Sequence, residues 1–110
     1  MSGGDECNSA NYVVLQGRIS QVGSLKYTPS GVPTLQIVLA ALQECFGHEE
    51  YGYFEVLGIG DITRALSDTR VGLRVKVTGR LWRRRFRDRN GTTIEDTKII
   101  IKEFDKLEDK

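Results

Sequence analysis

From Asn11 onward, apolar and polar positions alternate with a period of two. In "NYVVLQGRISQV", Val13, Leu15, Gly17 and Ile19 share one face, while Tyr12, Gln16, Arg18 and Ser20 share the other. That is the signature of a half-buried strand. Gly17, in its middle, predicts a bend or a close backbone approach. "TPSG", Thr28–Gly31, predicts a turn in which Pro29 presets an early position and Gly31 supplies a positive φ. "PTLQIVLAALQ" then turns Leu35, Ile37, Leu39 and Ala41 inward as a second strand. "ECFGHEE" reads as a polar connection around Gly47, and "YGYFEVLGIG" as a third strand. After Gly60 the rhythm changes. Asp61 is a candidate N-cap, and Ile62, Ala65 and Leu66 recur at helical spacing, so one short helix is predicted, stopping before Gly72. The period of two resumes at Leu73 and holds to Phe86. Asn90-Gly91 is the strongest hairpin signal, and "TTIEDTKIIIKEF" is the returning strand.

Strand, strand, strand, helix, strand, strand is the element order of the OB-fold, an all-β, five-stranded Greek-key barrel. One fold hosts many chemistries, so element order alone does not fix function. The expected organisation is a flexible arm over residues 1–10, an OB-fold domain over 11–105 and a frayed end over 106–110. There is no internal repeat and no low-complexity linker.

The strand from Leu73 is the informative one. Its odd positions, Leu73, Val75, Val77, Gly79 and Leu81, predict an uninterrupted core face. Its even positions are Arg74, Lys76, Thr78, Arg80, Trp82, Arg84 and Phe86. Alternate side chains of a strand share a face, so these form one stripe of cations with two aromatics. Beyond Leu81 the odd positions become Arg83, Arg85 and Arg87. The hairpin is therefore expected to leave the barrel and project with both faces in solvent, its tip at Asn90-Gly91.

Charge sharpens this picture. The 110-residue chain carries a formal net charge of only +1. Residues 1–60 balance at −4, residues 61–93 at +7 and residues 94–110 at −2. Six arginines fall between Arg80 and Arg89, beside the single tryptophan. Like charges so close repel unless an anion visits. A nucleic acid strand offers phosphates that release counterions when neutralised. It also offers flat bases, each worth roughly 1–3 kcal/mol when stacked on an aromatic ring. Arginine adds planar stacking and paired contacts to phosphate oxygens. The plain alternative is that Trp82 and Phe86 pack against a subunit with arginines around them. Two aromatics on the cationic face with no acid between them favour nucleic acid. The candidate contact set is Arg74, Lys76, Arg80, Trp82, Arg83, Arg84, Arg85, Phe86, Arg87 and Arg89, together with Tyr53, Arg18 and Lys26.

Other chemistries find little support. A chain this long folds without staples, burying roughly two-thirds of its unfolded surface. Cys7 and Cys45 form no metal-ligand or redox spacing, and Cys45 reads as a small apolar filler or an interface residue. A reducing cytoplasm is the expected setting, with no cofactor, no metal and no membrane partner. His48 stands alone in a loop beside Glu49 and Glu50, and no nucleophile accompanies it. Glu95 and Asp96 are adjacent in a strand, so they point to opposite faces and make a poor metal pair. A non-catalytic binding protein is expected. A protein-interaction module would show an apolar patch in place of the cationic stripe. RNA stays open as an alternative, because stacking tolerates either sugar.

"NYVVLQGRI", "LKYTPSGVPTLQIVLA", "YFEVLGIG" and "VKVTGRL", followed by an aromatic, basic hairpin with a D-x-N-G turn, resemble the bacterial single-stranded-DNA-binding proteins. The likeness runs from about Asn11 to Phe104. It implies an OB-fold that assembles as a homodimer or homotetramer and holds single-stranded DNA in replication, repair and recombination, on the nucleoid. By position it implies stacking roles for Tyr53 and Phe86 and DNA contact for Trp82 and Arg84. Tyr27 falls at a family aromatic used in stacking, packing or a subunit interface. Three departures stand out. The Glu44–Tyr51 connection is short, Cys45 stands near an expected tryptophan, and the chain ends at Lys110 without the acidic tail that recruits replication enzymes. A short chain with "TPSGVP" also resembles primosomal replication protein N, a replication-restart relative.

Overall fold

A computed structural model describes residues 10–107. Four long strands and one of ten residues build the barrel: β1 (Val13–Val22), β3 (Pro33–Cys45), β4 (His48–Ile59), β5 (Arg74–Arg87) and β6 (Thr93–Lys106). A two-residue strand, β2 (Lys26–Tyr27), pairs with the start of β3, and the helix α1 (Ile62–Ser67) lies between β4 and β5. Strand order is β1-β5-β6-β4-β3-β2, and β1 also pairs with β3, which closes the barrel. Among the described residues, only the β4–β6 contact is parallel. This is the expected OB-fold, with β2 as an addition too short to leave a periodic signal.

The inward positions fill the barrel. Ile19, Ile37, Leu39, Val56, Leu66, Val75 and Val77 are essentially inaccessible to solvent, and Leu35, Ile99 and Ile101 join them. Each such side chain stabilises the fold by about 1.5–3 kcal/mol relative to exposure. Leu66 is α1's contribution to this cluster. Two glycines mark where backbones cross. A methyl group on Gly17 would run into the Ala40 carbonyl, and one on Gly79 into the Ile100 carbonyl. The close approach expected at Gly17 is therefore present. At Gly79, β6 carries an irregularity opposite Thr78 and Gly79, because their partners Glu103 and Ile101 skip Lys102. Such a bulge bends the ladder and increases its twist.

Several expectations are corrected. "ECFGHEE" is not a connection: β3 and β4 stay paired out to Cys45–His48, and only Phe46 and Gly47 turn the chain. Both have positive φ, 53° and 80°, as a two-residue hairpin turn requires. The third long strand accordingly starts at His48, not Tyr51. Asp61 makes no side-chain capping bond, and its own backbone is already helical. The core face of β5 is interrupted, because Leu81 is 48 % exposed where the strand leaves the barrel. Cys45 is exposed on the hairpin and fills no core space.

At the other end of β6, the Leu107 N–H donates to the Arg74 carbonyl at 2.9 Å. The expected N-terminal arm lies outside the described residues apart from Ala10, as do Cys7 and the last three residues of the expected frayed end. Among the described residues, no helix is long and apolar enough to cross a membrane.

Candidate nucleic-acid interface

β5 and β6 pair in register from Leu81–Ile99 to Arg87–Thr93 and run on past the barrel as a projecting hairpin. From Arg80 to Arg87 every β5 residue is exposed. The tip is built by Asp88. Its carbonyl accepts the Gly91 N–H at 3.1 Å, and its carboxylate accepts the N–H groups of Asn90 at 2.9 Å and Thr92 at 3.0 Å. Gly91 carries the positive φ, 81°. The turn is thus a tight one followed by a left-handed glycine, the usual three-residue hairpin.

Alternation gives the hairpin two different faces. On one, the Arg84 guanidinium carbon sits 5.5 Å from the Trp82 ring centre and 4.7 Å from that of Phe86. Both distances are within cation–π range, so aromatic, cation and aromatic form a ladder. Trp82 and Phe86 are 37 % and 38 % exposed. Each is partly open to solvent and neither is sealed in the core. On the other face, Glu95 binds the Arg83 guanidinium and, at 2.8 Å, that of Arg85. The hydrogen bond from Arg83, then that from Arg85, holds the Glu95 carboxyl below the ordinary carboxylate range. Two arginines of the finger are therefore engaged by its own carboxylate. Among the described residues, Arg80, Arg87 and Arg89 have no ion-pair partner.

The remaining candidates divide by distance. At about 3.3 Å per residue, Arg74 lies roughly 20 Å down the strand from Arg80. Arg74 pairs with Arg18 and Lys76 with Gln16, on the barrel body. Arg18 donates to the Gly72 carbonyl at 2.9 Å. Lys26 is exposed on β2, across from Thr34. The structure therefore gathers Arg80 to Arg89 with the two rings into one finger, and it leaves Arg18, Lys26, Arg74 and Lys76 apart from it. Tyr53 is closer. It lies on the outer face of β4, exposed, and lines the same cleft as Leu81, Asp96 and Lys98, while Lys98 stands directly across from Trp82. Tyr51, two residues along, is exposed on the same face.

Glu55, Asp96 and Lys98 were missed by sequence reasoning. Lys98 lies 3.8 Å from Glu55 and 3.9 Å from Asp96. Period-two phasing of β6 against β5 would have put Lys98 and Asp96 on the aromatic face, but the register needed the structure. Glu95 and Asp96 do face opposite ways, as alternation requires.

A closed five-strand barrel with one short helix between β4 and β5, here carrying a cationic, aromatic finger on one rim, is an OB-fold. The chain belongs to the family described as another single-strand binding protein family, which matches residues 11–94. Replication restart protein PriB of Bordetella pertussis is 29% identical over 73 residues, 63% of this chain and 68% of its own. The same protein of Bordetella parapertussis matches equally. A Plasmodium falciparum structure, an SSB complex with ssDNA, aligns with a TM-score of 0.80 and 21% identity over 92% of this chain and 97% of its own. At that identity it supports the fold.

Proposed function

We propose that this protein binds single-stranded DNA without turnover, through base stacking on Trp82, Phe86 and Tyr53 and phosphate contacts from the finger arginines. The observation that carries the reading is the exposed Trp82–Arg84–Phe86 ladder, on a finger whose Arg80, Arg87 and Arg89 have no ion-pair partner among the described residues. Rings accept bases of any identity, and the cations neutralise the backbone between them. Arg18, Lys26, Arg74 and Lys76 extend the path over the barrel on longer strands. The expected setting is DNA replication in the cytoplasm, on the nucleoid, with repair and recombination as further uses.

A second reading, replication restart alongside other restart proteins, is favoured by the two PriB relatives. Assembly as a homodimer or homotetramer fits an open strand edge. β1 from Val13 to Gly17 pairs with β5 alone, whereas its pairing to β3 begins at Arg18, and Tyr12 and Val14 are exposed beside that edge.

Titration with oligothymidine, read by fluorescence of the single tryptophan, tests the binding. Trp82 emission is expected to be quenched, and the logarithm of affinity is expected to fall with the logarithm of salt by about 0.7 per phosphate neutralised. A flat salt response, or no binding at about 50 mM salt, where phosphate contacts are strong, would contradict it.

A further inference from the structure

The ladder between β4 and β6 is two pairs long, Val56–Ile99 and Leu57–Ile100. Each strand then belongs to a different hairpin, so the two separate at Glu55 and Lys98. The opening is a cleft of about 590 Å³, floored by apolar side chains such as Phe54 and Leu81 and rimmed by Tyr53, Glu55, Asp96 and Lys98. That volume is within the range of small-ligand pockets.

The rim is rich in hydrogen-bond acceptors. Lys98 donates to the Gln36 side-chain oxygen and faces the carboxylates of Glu55 and Asp96 at 3.8 and 3.9 Å. The Gln36 oxygen takes one of the ammonium's three donors, and the two carboxylates, beyond hydrogen-bond distance, hold it by charge alone. An ionised carboxylate accepts at about four positions, so Glu55 and Asp96 keep lone pairs for another group. A phosphate cannot use them. A flat ring with amino groups on its edge can, and the apolar floor suits its faces.

We propose that this cleft is a base pocket that prefers amino-bearing bases (cytosine, adenine, guanine) over thymine and uracil. The inference rests on the single-strand reading above and adds a base preference to it. Carboxylates accept from the cytosine amino group. Thymine and uracil instead offer one N–H between two carbonyl oxygens, which face the rim's lone pairs unfavourably. Position agrees. With Tyr53 on one rim and Trp82 across from Lys98 on the other side, a strand running between the two stacking surfaces passes over the cleft. The finger arginines meanwhile keep its phosphates away from the carboxylates.

The test is the affinity of the full chain for oligo(dC) and oligo(dU) of equal length at near-neutral pH, followed by Trp82 fluorescence. Oligo(dC) is expected to bind at least about tenfold tighter, as a good base-edge contact allows. Glu55→Gln with Asp96→Asn is expected to bring the ratio close to one without weakening oligo(dU). Should that pair of changes disturb the rim, Leu81→Phe fills the cleft from its floor and is expected to remove the preference while keeping the salt dependence. Equal or tighter binding of oligo(dU) by the wild type overturns the base pocket alone, as does a ratio that survives both sets of changes. Failure to bind either oligonucleotide overturns the single-strand reading and the pocket with it.

Discussion

Two hairpins outrun the barrel, and they are opposites. The β3–β4 hairpin ends in a turn at Phe46 and Gly47 and carries Glu44, Glu49 and Glu50. Glu44 stands directly across from Glu49, a pairing that costs stability. No lysine or arginine occurs between Lys26 and Arg64. The β5–β6 hairpin carries Arg83, Arg84, Arg85, Arg87 and Arg89, with two rings sharing one arginine. Both are antiparallel ladders of similar construction. The barrel thus supplies reach, and side-chain chemistry decides what each arm reaches for. By charge, the second arm attracts a phosphate and the first repels one.

Removing cations from the finger should have the largest effect. Arg84, Arg87 and Arg89 changed together to alanine are expected to weaken oligonucleotide binding at low salt about a hundredfold and to flatten the salt slope by about 2. The same three-residue change on the acidic arm, Glu44, Glu49 and Glu50 to alanine, is expected to leave affinity unchanged or raise it. Loss of affinity there would erase the contrast.

The rings come next. Phe86→Ala is expected to cost about tenfold in affinity, one stacked base, measured by anisotropy of a labelled oligonucleotide. Tyr51→Ala, farther from the arginines, is expected to cost less. Equal losses would move the stacking site toward the β4 face. Phe46 gives the sharper contrast, because it is 96 % exposed with φ of 53°, a conformation that bulky residues adopt at a cost. Phe46→Asn is expected to leave affinity unchanged and to raise unfolding stability by about 0.5–1 kcal/mol.

Glu95 sets the smallest effect on affinity. Because Arg83 and Arg85 lower its carboxyl, the clamp is fully present above the ordinary carboxylate value and opens only as pH falls through the lowered one. Acidification to mildly acidic pH is therefore expected to leave the clamp closed. Glu95→Gln frees both arginines and is expected to raise affinity two- to threefold, since exposed pairs are weak. A fall in affinity would show that the clamp orders the finger for binding.

What could be read from the sequence followed its periodicity. β1, β3, β5, β6 and the helix carry uninterrupted rhythms, and the alternation at Arg74–Phe86 put cations and rings on one face before any coordinates. The β3–β4 hairpin differs from the expected connection because "ECFGHEE" lies beyond the barrel and carries no alternation of apolar and polar positions, so no phase marks it as strand. Leu81 kept the apolar phase of β5 although it sits past the barrel rim, where local pattern says nothing of depth. The Glu95 clamp and the Glu55–Lys98–Asp96 rim depend on cross-strand register, and a bulge opposite Gly79 shifts that register by one residue. No single-strand pattern contains that shift.

The most direct test is photocrosslinking of the full chain to a 5-iodouracil-containing oligonucleotide, with the attached residue located by mass spectrometry. Crosslinks at Trp82 or Phe86, and none at Phe46, are the predicted result. Attachment at Phe46 on the acidic arm, with Trp82 and Phe86 untouched, would contradict the account.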